Sequence, residues 1–134
     1  MKLNVMFTIA AILLILVGLG PLLSFVFPGI QATYGISDIS TSFVYLILSV
    51  AQIVFGIVAW SVRKAPASKT RDSLALGYAS LFALWAILNV IGSFGQFKAI
   101  PGHGNALWPW FVIFTLVAAG FFMADRTSNS KSRK

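Results

Sequence analysis

The sequence predicts an all-α integral membrane protein, a four-helix bundle whose chain runs up, down, up and down through the bilayer. Of its 134 residues, 58% are apolar and only 10% are charged. In a soluble domain about a quarter of the residues are charged, and a soluble chain this apolar would expose large hydrophobic patches to water. The apolar residues fall into four long runs between short polar connections. Each run is close to the about 20 residues that a membrane-spanning helix needs.

The ends of these runs give the bounds of the predicted helices. We expect helices at about 5–27, 41–62, 73–97 and 106–124. They form one domain over residues 1–125, followed by a basic, disordered cytoplasmic tail at 126–134. The first helix contains Pro21, which has no N–H to donate to the Val17 carbonyl and whose ring crowds that turn. A kink near Pro21 is therefore expected.

Lysine and arginine residues are distributed unevenly among the connections. Of the ten, Lys98 alone falls in an outer connection, whereas the others lie at the N-terminus, after the second helix and in the tail. Basic residues remain on the cytoplasmic side of short loops. We therefore expect both termini in the cytoplasm, with the protein integral to a plasma membrane, the inner membrane of a bacterium. The basic clusters also predict attraction to anionic lipid, and not to nucleic acid, because they are short and separated by apolar runs.

Groups that could carry chemistry are few. The chain has no Cys and one His, and its three acids, Asp38, Asp72 and Asp125, lie at segment ends or in connections. Without Cys, thiolate chemistry and Cys-based metal sites are excluded. His103 lies in a Gly- and Pro-rich connection, where we expect a turn, and Asp72 is expected to cap the third helix. We therefore predict no enzyme activity, no catalytic or metal-binding residue and no cofactor.

Polar and small residues form a stripe along the second and third predicted helices. It comprises Tyr45, Ser49, Gln52, Gly56 and Ala59 on the second helix, and Tyr78, Phe82, Trp85, Asn89, Gly92 and Gln96 on the third. Steps of three and four residues place each set on one helix face. Small residues let membrane helices approach, and amides bond across the interface. The simplest interpretation is a packing seam, and the alternative is a ligand or ion pathway lined by Gln52 and Asn89.

A buried polar layer is the more specific hypothesis drawn from the stripe. Its candidate members are Gln52, Trp85, Asn89, Tyr45 and Thr115. At about 1.5 Å of rise per residue, Gln52, Trp85 and the Val17 carbonyl fall at a similar depth. An amide facing lipid would cost several kcal/mol. We therefore expect a hydrogen-bonded cluster that joins the first three helices, with Thr115 as a candidate fourth member and Gly56 also in the interior.

Three local features resemble those of a known family. They are Gly18-Leu19-Gly20-Pro21 in the first helix, the Pro28-Gly29 exit leading to Tyr34-Gly35-Ile36, and the basic turn after the second helix. With these features, most of the chain resembles the DoxX-like group of small four-helix bacterial membrane proteins. The resemblance implies a four-helix membrane fold and carries over no functional residue.

Two functions are compatible with these observations. The first is a non-catalytic accessory or assembly subunit, packed in a larger membrane complex with other subunits or with copies of itself. Small size, short connections and the lack of reactive residues favour it. The second is a passive binder or conduit for a lipid, a quinone or a small solute, lined by Gln52 and Asn89.

The predicted orientation can be tested with a reporter enzyme that is active only outside the cytoplasm. Fused after Arg126, the reporter should be inactive, because the positive-inside rule keeps the basic tail in the cytoplasm. Fused near Gly35, it should be active. The opposite pattern would overturn the orientation.

Overall fold

The computed structural model describes residues 2–27, 39–94 and 107–131, and within these ranges it contains four α-helices and no strand. The helices are α1 (Leu3–Ser24), α2 (Ile39–Val62), α3 (Lys69–Phe94) and α4 (Leu107–Lys131). The predicted all-α class and the predicted four helices are confirmed. Most of the two outer connections, with Lys98 and His103, and residues 132–134 lie outside the described residues.

Three of the described helices are long and apolar enough to cross a membrane. They are the whole of α1, Ser42–Val62 of α2 and Lys69–Ile91 of α3. The apolar part of α4, Pro109–Ala124, is shorter and reaches roughly 24 Å, against a hydrocarbon core of about 30 Å. The length and composition of the three longer helices are those of a membrane protein.

The observed bounds differ from the predicted ones by up to four residues in α1, α2 and α3, and by seven residues at the end of α4. The helix α1 continues through Pro21 to Ser24, whose hydroxyl donates a hydrogen bond to the Pro21 carbonyl at 2.5 Å. Pro21 therefore lies in the last turn, and the predicted kink stays a prediction. The helix α4 extends to Lys131, so the segment expected to be a disordered tail is helical up to that residue.

The start of α3 corrects one prediction. Ser68 precedes the helix, and its Oγ accepts a hydrogen bond from the Arg71 N–H at 3.2 Å. This bond satisfies one of the N–H groups that the first turn of a helix leaves free. Asp72, which was predicted to be the cap, lies inside the first turn. The prediction was wrong because Ser68, one turn earlier, occupies the capping position, while the carboxylate of Asp72 still lies at the favourable end of the helix dipole.

The helices α1 and α2 pack through two glycines. A Cβ atom added to Gly18 would lie 2.8 Å from the carbonyl oxygen of Ser49. A Cβ atom added to Gly56 would lie 2.7 Å from Cγ1 of Ile15 and 3.1 Å from the carbonyl oxygen of Ala11. These separations leave no room for a side chain at either position. Gly56 is buried against α1, in the interior position that its stripe predicts.

The helices α3 and α4 pack through aromatic rings. Phe82 on α3 stacks on Phe121 on α4, with ring centroids 6.4 Å apart, and Trp85 lies 5.2 Å from Phe114. Phe7 of α1 meets the Phe121 ring edge-on at 5.3 Å. Phe7, Phe82 and Phe121 are almost fully buried. This group of rings is the apolar core, and through Phe7 it joins α1 to the other two helices.

The helix α2 packs mainly on α1, whereas its contact with α3 is slight. Tyr78 of α3 contacts α2 directly, because its hydroxyl donates a hydrogen bond to the Phe55 carbonyl at 2.5 Å. The four helices therefore associate as two tight pairs, α1 with α2 and α3 with α4.

Replacing Gly18 by Ala should lower the stability of the protein. The new methyl group would overlap the Ser49 backbone carbonyl, which cannot rotate away, and overpacking of this kind costs about 1–3 kcal/mol. Gly77 is the matched control, because nothing lies within 4 Å of a Cβ added there. Gly77→Ala should be neutral or stabilise by up to about 1 kcal/mol through helix propensity. Unfolding of the purified variants in detergent measures both effects, and equal losses would contradict the close α1–α2 contact.

Candidate functional site

A cavity of about 520 Å³ lies among the four helices. The lining residues are Leu13, Leu16, Val17 and Pro21 of α1, Tyr45, Leu48, Ser49 and Gln52 of α2, Trp85, Leu88 and Asn89 of α3, and Trp110 and Phe114 of α4. The volume falls within the range of about 300–1,000 Å³ that is typical of small-molecule sites. Most of the lining is apolar with a few polar groups, which is also typical of such sites.

The cavity lies where the two helix pairs separate. At the Tyr78–Phe55 hydrogen bond, α2 and α3 are in contact. The cavity begins at Gln52, about one helical turn beyond that bond on α2, and at Trp85, about two turns beyond it on α3, and extends toward Asn89. The cavity lies between the α1–α2 pair and the α3–α4 pair, on the side where α2 and α3 make little contact.

Four of the five residues in the predicted polar layer line this cavity. They are Tyr45, Gln52, Trp85 and Asn89. Thr115 does not join them, because its side chain is exposed on α4, one residue beyond the buried Phe114. Depth along a helix suggested Thr115 as a member, but its position around the helix axis turns it outward. Gln96, the last residue of the predicted stripe on the third helix, lies outside the described residues.

The predicted hydrogen bonds between these residues do not form at Gln52 Oε1. That oxygen is buried and accepts no hydrogen bond in the described structure. The expected cluster therefore supplies no donor to this oxygen in the described structure. Asn89 Nδ2 donates to the Trp85 carbonyl, one turn earlier in its own helix, at 2.8 Å. Ser49 Oγ likewise donates to the Tyr45 carbonyl at 2.7 Å. Short polar side chains in a helix can bond to the preceding turn, and the Asn89 and Ser49 side chains do so here.

The sequence interpretation missed the contribution of α4. Trp110 and Phe114 line the cavity, and Phe114 begins a buried series that continues with Val117, Phe121 and Ala124. These residues follow one another at steps of four, three, four and three. The same periodicity identified the faces of α2 and α3. Applied to aromatic as well as polar residues, it would have identified this face of α4 also.

The lining is suited to binding rather than to chemistry. It contains no carboxylate, His or Lys side chain. In the residues that the structure describes, no group of three or more His, Cys, Asp or Glu residues is placed to hold a metal ion. The cavity can hold a molecule by its shape, by the aromatic rings and by hydrogen bonds to a few fixed polar atoms.

Comparison with protein-family models, with curated proteins and with solved structures finds no match to this chain. The resemblance to the DoxX-like group therefore stays a prediction. The cavity and its polar atoms are the observations from which a function can be argued.

Replacing Gln52 by Leu should leave stability unchanged or raise it slightly, because the change removes a buried oxygen that accepts no hydrogen bond. Gln52→Glu should lower stability, since a carboxyl group must either stay protonated or ionise in apolar surroundings. The midpoints of thermal unfolding in detergent measure both effects. Thr115→Val, on the exposed side of α4, is the control and should have little effect. A loss above about 2 kcal/mol for Gln52→Leu would mean that Gln52 holds the helices together.

Proposed function

We propose that this chain is a non-catalytic integral membrane protein that binds a lipid or another small, largely apolar molecule within the bilayer. The binding site is the cavity lined by Gln52 and Asn89. The observation that supports this function is the arrangement of the polar layer. Tyr45, Gln52, Trp85 and Asn89 line one cavity, and the Gln52 Oε1 atom accepts no hydrogen bond in the described structure.

The proposed topology has four spans and both termini in the cytoplasm of a plasma membrane. The contacts of α1 with α2 support opposite directions for these helices. Gly18, late in α1, meets Ser49, whereas Ala11, earlier in α1, meets Gly56, later in α2. The ring contacts of α3 with α4 follow the same reversed order, because Trp85 meets Phe114 and the earlier Tyr78 meets the later Phe121.

A shared basic end supports the cytoplasmic placement. The Arg71 guanidinium carbon lies 5.9 Å from the centroid of the Phe7 ring near the start of α1. Its Nη2 also donates to the Arg63 carbonyl, just after α2, at 3.3 Å. These contacts gather the start of α1, the end of α2 and the start of α3, which carry Lys2, Arg63, Lys64, Lys69 and Arg71. One basic end fits the positive-inside rule and an attraction to anionic lipid.

Access from the lipid phase is supported by the rim of the cavity. Leu48 on α2 and Leu88 on α3 line the cavity and are 50% and 61% exposed. In a bilayer these side chains face acyl chains, so a molecule dissolved in the membrane can pass between α2 and α3 without crossing water. This route favours a lipid-like ligand over a water-soluble solute.

The alternative function, an accessory subunit of a larger membrane complex, depends on a surface rather than on a cavity. Apolar residues such as Phe43, Ile47 and Val54 are exposed on α2. Lipid covers such a surface as well as another subunit or a second copy of this chain does. The cavity therefore makes binding the better supported of the two functions.

Native mass spectrometry after gentle solubilisation tests the proposed function. The wild-type protein should retain a small molecule, and the mass of that molecule distinguishes a membrane lipid from other compounds. Leu88→Trp should lower its occupancy several-fold, because the indole would narrow the opening of the cavity. Leu84→Trp is the matched control, since Leu84 lies one turn away on α3, is 58% exposed and does not line the cavity. A stoichiometric protein partner with no retained small molecule would favour the accessory subunit instead.

A further inference from the structure

One hydrogen-bond acceptor on the lining of the cavity has no partner among the described residues. Gln52 Oε1 is buried, lies on a cavity-lining residue and accepts no hydrogen bond from the described residues. An acceptor that is buried without a partner destabilises the protein, and within a bilayer there is no bulk water to satisfy it. A ligand that brings a donor to this oxygen would remove that cost.

A second acceptor lies on the α1 side of the same cavity. In an α-helix, the carbonyl of residue 17 would accept a hydrogen bond from the N–H of residue 21. That residue is Pro21, which has no N–H. Both Val17 and Pro21 line the cavity. The proline therefore removes the usual partner of a carbonyl beside the binding space.

Two donors of the lining are already used within their own helices. The Ser49 hydroxyl donates to the Tyr45 carbonyl, and the Asn89 amide donates to the Trp85 carbonyl. The lining thus has two acceptors that lack a usual partner, Gln52 Oε1 and the Val17 carbonyl. The donors on Ser49 and Asn89 are directed to carbonyls of their own helices.

Resting on the proposed function, we infer that the cavity selects apolar molecules that carry a hydrogen-bond donor, an O–H or N–H group. Rotation of the Gln52 side chain into the cavity brings its Oε1 to the donor, and the Val17 carbonyl is a second acceptor. The rest of the molecule lies against Leu13, Leu16 and Phe114 and reaches the lipid phase between Leu48 and Leu88. Long-chain alcohols, and lipids with a free hydroxyl group, have this chemistry.

A pair of probes that differ only in the donor tests the inference. The probes are 11-bromo-1-undecanol and its methyl ether, added to the wild-type protein in phosphatidylcholine nanodiscs. Bromine quenches tryptophan fluorescence, and Trp85 and Trp110 line the cavity. The saturable part of the quenching reports binding, above the linear part that arises from lipid-exposed tryptophans such as Trp60.

The alcohol should bind about 2- to 10-fold more tightly than the ether, as expected for one net hydrogen bond. Gln52→Leu should abolish this preference, and Thr115→Val, on the exposed side of α4, should keep it. The comparison of the two probes on the wild-type chain tests the preference for a donor even if a variant folds poorly.

Several outcomes would overturn the inference. Equal affinity for the two probes, or tighter binding of the ether, would do so while leaving the proposed binding function intact. A preference for the alcohol that persists in Gln52→Leu would show that Gln52 is not the acceptor. Saturable quenching by neither probe would overturn the inference together with the proposed function of this cavity.

Discussion

The close contact between α1 and α2 at Gly18 and Gly56 is the constraint on which the rest of the arrangement depends. A Cβ at Gly18 would lie 2.8 Å from the Ser49 carbonyl oxygen and 3.2 Å from Cβ of Gln52. The absence of a side chain at position 18 therefore sets how near Gln52 lies to α1. Pro21 follows one turn later on the same helix. The glycine that allows contact and the proline that removes an N–H together place Gln52 and the Val17 carbonyl at one cavity.

The contact between α3 and α4 is formed by aromatic rings instead of glycines. Phe82, Trp85, Phe114 and Phe121 fill that interface with rings, and Phe7 extends the group to α1. Lipid gives helices no hydrophobic reason to associate, so van der Waals packing and a few hydrogen bonds decide the geometry. Glycines bring α1 and α2 together at backbone distance, whereas aromatic rings fill the contact between α3 and α4. The cavity lies on the side where α2 and α3 make little contact.

The sequence was sufficient for the helices and for the inward faces of α2 and α3, because run length and helical periodicity are local properties. Gly56 proved buried, and Gln52, Trp85, Asn89 and Tyr45 proved to share one cavity. Tertiary geometry decided what periodicity could not. Thr115 has a suitable depth but turns outward, because depth does not fix rotation about the axis of α4. Depth also did not predict that the Asn89 amide donates to the Trp85 carbonyl in its own helix.

A buried acceptor without a partner links occupancy of the cavity to the stability of the fold. When the cavity is empty, the protein bears the cost of the Gln52 oxygen and of the packing that is missing around it. A ligand with a donor removes both costs, and it binds the folded state alone, because the cavity exists only when all four helices are in place. Its binding free energy then adds to the stability of the folded protein by mass action. An apolar molecule that fills the same space without a donor restores the packing and leaves the oxygen unpaired. Under the proposed function, the cavity would therefore distinguish two such ligands by one polar group, since they share their shape and apolar surface.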